Sequence, residues 1–163
     1  SKSCSKQVAP EGDKMNRRFG NWPDPNQYYR PRAGAYAIID AGDGILATFQ
    51  EDPDPEFQLP GGGIDAGETA IQALHREVLE ETGYRIHGIR RLGMFHRHTF
   101  MPDYGYHAHK QCHIFYAQLG RRMGEPTEAG HSAIFLPWDE AETLLAVSGD
   151  RHFVRQLLAH YGR

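Results

Sequence analysis

The stretch GGIDAGETAIQALHREVLEETGY, residues 62–84, decides how the rest of the chain is read. Ile71, Leu74 and Val78 recur at i, i+3 and i+7, a spacing that predicts a helix over 68–82 with these side chains toward the core. Gly83 stands where a helix C-terminal glycine belongs. The same helix carries Glu77, Glu80 and Glu81 at i, i+3 and i+4, so three carboxylates share one face. Crowding like charges costs a few tenths of a kcal/mol per pair, and a partly buried face of this kind needs a cationic partner. Arg76, His75 and Arg85 could balance a solvated face. The competing reading is a divalent-metal site, because hard cations such as Mg2+ take carboxylate and carbonyl oxygens. The glycines before the helix expose main-chain carbonyls and let a polyphosphate approach the backbone.

Upstream, Ala35–Ile39 and Ile45–Phe49 read as strands joined by the turn Asp40–Gly44, and Phe57–Leu59 as a short strand ended by Pro60 and three glycines. Downstream, strand-like runs over 86–99 and 107–118 flank a turn with Pro102, Asp103 and Gly105. Ala133–Leu136 predicts a last strand, stopped by Pro137, and helical patterns follow near 139–147 and 150–161. Residues 1–31 are polar and punctuated by Pro10, Gly12, Gly20, Pro23 and Pro25, which predicts a loop-like arm before a domain over 32–163.

The chain has 163 residues, 39% hydrophobic and 24% charged, which suits one globular domain. No apolar run approaches the roughly 18 residues of a membrane helix, and SKSCSKQVAP lacks the apolar core of a secretory leader. Cys4 and Cys112 are too few for a disulfide scaffold, so both are expected as reduced thiols in a cytoplasmic protein. The net charge of −3 disfavours a general nucleic-acid binder.

Gly62, Glu68, Arg76, Glu77, Val78, Glu80, Glu81 and Gly83 match the pattern G-x5-E-x7-R-E-U-x-E-E-x-G-U, where U is a bulky aliphatic residue. The pattern resembles the signature of the Nudix hydrolases, MutT-like nucleotide pyrophosphohydrolases. At about 6% usage per residue, seven single-residue matches at one start point arise by chance less than about once in ten million. Tyr84 departs from the usual Ile, Leu or Val at the last position and remains large and largely apolar. Leu59-Pro60-Gly61-Gly62-Gly63 also looks like the family's approach to this box, and the resemblance spans 32–162.

The resemblance implies an α/β/α sandwich with a mixed β-sheet, and a loop–helix–loop that binds Mg2+, with Mn2+ as a substitute. It implies water attack on phosphorus in a nucleoside diphosphate linked to another group: a nucleoside triphosphate, a nucleotide sugar or a dinucleoside polyphosphate. Glu77, Glu80 and Glu81 would then hold metal with the carbonyl of Gly61 or Gly62, and Arg76 would orient a glutamate. Glu68 and Gly83 would be structural, with Glu68 also favoured by the helix dipole at the helix start. Glu77 and Glu80 are the candidates for the general base within the box; Asp103, Glu125 and Glu128 are the loop acids outside it. Many relatives place a glutamate three residues before the aromatic of the last strand. Counting from Phe135, that position is Ser132, preceded by His131, so the auxiliary ligand is either missing or supplied by Glu128.

Arg32 and Lys110 are candidate phosphate contacts, and Phe57 and Tyr104 candidate stacking partners for a base. His96 and His98 alternate, as do His107 and His109; their spacing follows no structural zinc pattern, and half-exposed strand histidines are the expectation. A small-molecule nucleotide is the expected partner, with a homodimer as an option common among similar proteins. Two other functions stay open. One is a catalytically silent ligand-binding or regulatory module, which loss of box glutamates would favour. The other is an RNA 5′-end pyrophosphohydrolase, which the negative charge disfavours.

Overall fold

The computed structural model describes residues 17–161. Cys4 and most of the expected arm therefore lie outside the described residues. In chain order the elements are β1 (Arg30–Asp40), β2 (Gly44–Gln50), β3 (Glu56–Gln58), β4 (Gly61–Gly63), α1 (Ala70–Thr82), β5 (Tyr84–Met101), β6 (Tyr106–Arg122), β7 (His131–Pro137), α2 (Trp138–Leu144) and α3 (Ser148–Tyr161).

One mixed sheet runs β3-β2-β1-β6-β5, with β4 added to β1 and β7 to β2. The long β1–β6 pairing is parallel, from Arg30 opposite Ala108 to Asp40 opposite Gln118, and the remaining pairings are antiparallel. Strand alternation divides the core in two. Ala35, Ala37 and Ile39 of β1 and Phe115 and Ala117 of β6 pack with Leu74 and Val78 of α1. Ile38 of β1 and Cys112 and Ile114 of β6 face the other way, onto Ala141 of α2 and Phe153, Val154 and Leu157 of α3. Helices thus cover both faces, the α/β/α sandwich expected from the signature. No helix among the described residues is long and apolar enough to cross a membrane.

Helix α1 starts on a capping box: the Thr69 hydroxyl accepts from Gln72 N, and the Gln72 side chain accepts from Thr69 N. It ends on Gly83 at φ +78°, whose N–H donates to Leu79 O. A Cβ at Gly83 would lie 2.0 Å from Gly124 O, so glycine is needed there for space as well as for conformation.

Three sequence expectations change. Ile71 is 47% exposed, and the buried face of α1 is Ala73, Leu74, Val78, Glu81 and Thr82. Ile71 shares the angular stripe, but it sits in the first turn, and the buried positions begin at Ala73. Ile71→Lys is accordingly expected to change stability by no more than about 0.5 kcal/mol, against roughly 2–5 kcal/mol for Leu74→Ala; urea melts of both variants check the difference. Glu68, expected within the helix, lies just before the Thr69 cap and accepts from Arg76. The three glycines are a strand and not only a turn: Gly61, Gly62 and Gly63 pair antiparallel with Tyr36, Ala35 and Gly34.

Residues 17–19 also join the fold. Arg18 forms a bridge with His96, Phe19 N donates to His96 O, and the Phe19 ring packs edge-on to Phe95 at 5.5 Å. On the β5–β6 ladder His98 stands opposite His109 and stacks on it at 4.5 Å, while His96 Nδ1 lies 2.8 Å from His109 Nε2. Burial, reinforced by His109, Arg18 and His96, pushes His98 down to about 4.

Candidate active site

The acidic face of α1 lies against the glycine strand. Gly62 packs so closely that a Cβ there would be 2.5 Å from the Glu77 carboxyl carbon. Gly61 N lies 3.4 Å from Glu81 Oε1. The strand therefore comes within reach of the carboxylates only because it has no side chains.

Arg76 organises this face. Its Nε and Nη2 each donate to Glu68 at 2.8 Å, Nη1 donates to Glu77 Oε1 at 2.9 Å, and Nη2 also reaches Gly63 O at 3.1 Å. One planar guanidinium thus ties the loop before α1, the glycine strand and a signature glutamate together. The pairing holds the Glu68 carboxyl at about 2 and raises Arg76.

Glu81 is the buried member, 5% exposed. It contacts Glu77, and among the described residues no Lys or Arg forms an ion pair with it. Burial is the main cause that pushes its carboxyl far up, and Glu128 and Glu77 add to it. Glu80 is more open, with Arg76 Nη1 3.6 Å from its Oε2.

The loop after β6 brings a further acid in. Thr127 N and Glu128 N both donate to Glu80 O, at 2.8 and 3.0 Å, which docks the loop on the C-terminal turn of α1. Ligand atoms of Glu81, Glu128 and His131 consequently lie within 4.8 Å of one another. The donor set fits a divalent cation: the buried Glu81 carboxylate has no cationic side chain paired with it among the described residues, and Glu128 and His131 each bring a ligand atom beside it. Asp103 and Glu125 are not part of this group, and Glu125 pairs with Arg122 instead.

Of the proposed substrate contacts, Arg32 stands beside the site. Its guanidinium lies about 3 Å from where a Gly63 Cβ would be, sits 4.6 Å over the Tyr104 ring and donates to the Tyr106 hydroxyl at 3.0 Å. Tyr104, on the β5–β6 turn, is 56% exposed. Phe57 is placed differently. It packs on Phe49 at 5.1 Å and against the α2–α3 core, not beside the carboxylates.

Lys110 lines a cavity of about 50 Å3 with Tyr36, Gln58, Leu59, Phe95, Arg97, Cys112, Val147 and Asp150. Tyr36 joins cavity and glycine strand, since it pairs with Gly61. Asp150 escaped the sequence reading: one acid in the first turn of α3 carries no local signal, and the fold alone sets it opposite Arg97 and Lys110. It is 5% exposed and pushed up to about 7 by burial, against the pull of Arg97 and Lys110. Between its ordinary 3.8 and about 7 the folded chain retains a proton that the unfolded chain has lost. The Asp150 contribution to stability therefore falls as pH rises through that window and levels off above it. Asp150→Asn is expected to remove this slope and to gain on the order of 3 kcal/mol at pH 8, read from thermal melts between pH 4 and 8.

The sandwich, the capped helix and the clustered box carboxylates coincide with a family match: the NUDIX domain model matches residues 28–157. The chain belongs to the NUDIX family. Within the family it is 34% identical over 98 residues to a Bacillus subtilis protein provisionally named an 8-oxo-dGTP diphosphatase; the match covers 58% of this chain and 60% of that one. It is 59% identical over 58 residues to an RNA pyrophosphohydrolase of Helicobacter pylori, covering 34% and 37%. The chain thus spans less than two thirds of these curated relatives. A NUDIX hydrolase structure from Nitrosomonas europaea superposes with a TM-score of 0.66 at 22% identity, over 80% of this chain and 90% of that one, a likeness of fold.

Proposed function

We propose that this NUDIX protein hydrolyses a phosphoanhydride bond in a nucleoside diphosphate linked to another group, using a divalent cation and water. The observation that carries the reading is Glu81: a buried carboxylate against Glu77 and near Glu128, with no cationic side chain paired to it among the described residues. Leaving it so is costly unless a cation completes the site. Glu77, Glu80 and Glu81 would hold Mg2+ or Mn2+, with the carbonyl of Gly61 or Gly62. When bound, the cation offsets phosphate charge and acidifies water.

The chain's own groups then take distinct roles. Arg76 fixes Glu77 by a charge-assisted hydrogen bond and ties the glycine strand to the helix. Glu80 is the better-placed general base, because its carboxylate is the most open of the three and its Arg76 contact is long. Arg32 sits beside Gly63 to meet phosphate oxygens, and Tyr104 offers an exposed ring for a base. Lys110 stays with Arg97 and Asp150 around a cavity of about 50 Å3, too small for a nucleobase, so no base contact is assigned to it.

One observation favours a second reading. The RNA pyrophosphohydrolase similarity is high over its short span, 59% identity over 58 residues. Oxidised nucleoside triphosphates, nucleotide sugars, dinucleoside polyphosphates and 5′-triphosphorylated RNA, assayed with Mg2+ or Mn2+ in 18O-labelled water, separate the readings. A labelled phosphate in the product supports water attack on phosphorus, and the best substrate names the class. Failure of every substrate under both metals overturns the enzymatic reading.

A further inference from the structure

We infer that His131 supplies a nitrogen donor to the carboxylate centre, so that the site takes a transition-metal cation in preference to Mg2+. The inference rests on the metal-site reading above. Its ground is one side chain the hydrolytic scheme does not use. His131 Nδ1 is buried and has no hydrogen-bond partner. Its nearest carboxylate oxygen, Glu128 Oε2, is 3.8 Å away, beyond hydrogen-bond range.

That spacing falls between the donor separations an octahedral shell offers and leaves room for an ion to join the two groups. With bonds of roughly 2.1 Å, adjacent donors in an octahedral shell lie about 3 Å apart and opposite ones about 4.2 Å. The ligand atoms of Glu81, Glu128 and His131 fall within 4.8 Å of one another, so small adjustments bring all three onto a common ion.

Three separate elements hold the donors. Glu81 is fixed on α1, Glu128 on the loop tied to Glu80 O, and His131 opens β7 opposite Gln50 of β2. The His131 imidazole brings a donor of different character from the two carboxylates. Mg2+ prefers oxygen, keeps several waters and gains little from nitrogen. First-row transition metals accept imidazole, Mn2+ less strongly than Fe2+, Ni2+, Cu2+ or Zn2+ but more readily than Mg2+ does.

Mn2+ serves as the probe with the whole chain. Pulsed electron paramagnetic resonance of the Mn2+-loaded protein is expected to show 14N coupling from a directly bound imidazole, and His131→Gln is expected to abolish it. Calorimetric titration should show Mn2+ affinity falling about tenfold or more in His131→Gln, with Mg2+ affinity changed less than about twofold. Mn2+ bound without nitrogen coupling, or coupling that survives in His131→Gln, overturns the role of His131 and leaves the carboxylate site standing. Absence of Mn2+ binding in the unaltered protein overturns both. Because the wild-type spectrum alone can refute the inference, folding of the variant does not limit the test.

Discussion

Glu81→Gln is expected to slow phosphoanhydride hydrolysis about a thousandfold while leaving the metal-free fold at least as stable as before. The two halves of that expectation have one cause. Glu81 is buried, and its environment raises the cost of the ionised form through desolvation and the nearby Glu128 and Glu77. Glutamine keeps an oxygen for the Gly61 N–H and removes that cost. It also removes a ligand charge, and loss of about 4 kcal/mol of transition-state stabilisation corresponds to the stated factor. Binding to the native state alone raises the melting temperature of the unaltered protein, and that rise should vanish in the variant. Turnover assays and melts with and without Mn2+ supply both readings. Near-normal turnover, or an unaltered metal-induced rise, would remove Glu81 from the site.

Gly61→Ala should cost on the order of 4 kcal/mol of stability. Gly61 has φ +145°, and an added Cβ would lie 2.1 Å from Ala35 O and 2.6 Å from Tyr36 Cα. Both obstacles are main chain of the paired strand, so no rotamer change relieves them; the strands must part. Parting them moves Gly61 and Gly62 away from Glu81 and Glu77, so metal affinity should fall together with stability. Gly67→Ala is the control. Gly67 also has a positive φ, +83°, but a Cβ there meets nothing within 4 Å, so the expected cost is only about 1 kcal/mol of conformational strain. Chemical denaturation of both variants decides the matter; equal midpoints would show that the β1–β4 approach is not tight in solution.

The sequence resolved the site where its parts are close along the chain. Glu77, Glu80 and Glu81 share a face because a helix repeats every 3.6 residues, and Arg76 reaches Glu77 as its neighbour. Gly83 ends α1 because a left-handed residue belongs there, which local pattern also reveals. Where exposure depends on what lies opposite, the sequence reading was less sure. Ile71 fits the apolar period yet stands in the first turn, half in solvent. Phe57 follows a loop and still turns toward Phe49.

By itself, then, the sequence determined the signature helix, the succession of strands and helices, and the acidic face, because each follows from neighbours within a few turns of chain. Only the tertiary structure decided that three glycines form a strand on β1, that Glu128 and His131 meet Glu81, and that Asp150 faces Lys110 across a cavity. Those contacts join residues 25 or more positions apart. Hydrogen-bond register and loop docking set them, and neither is written in local periodicity.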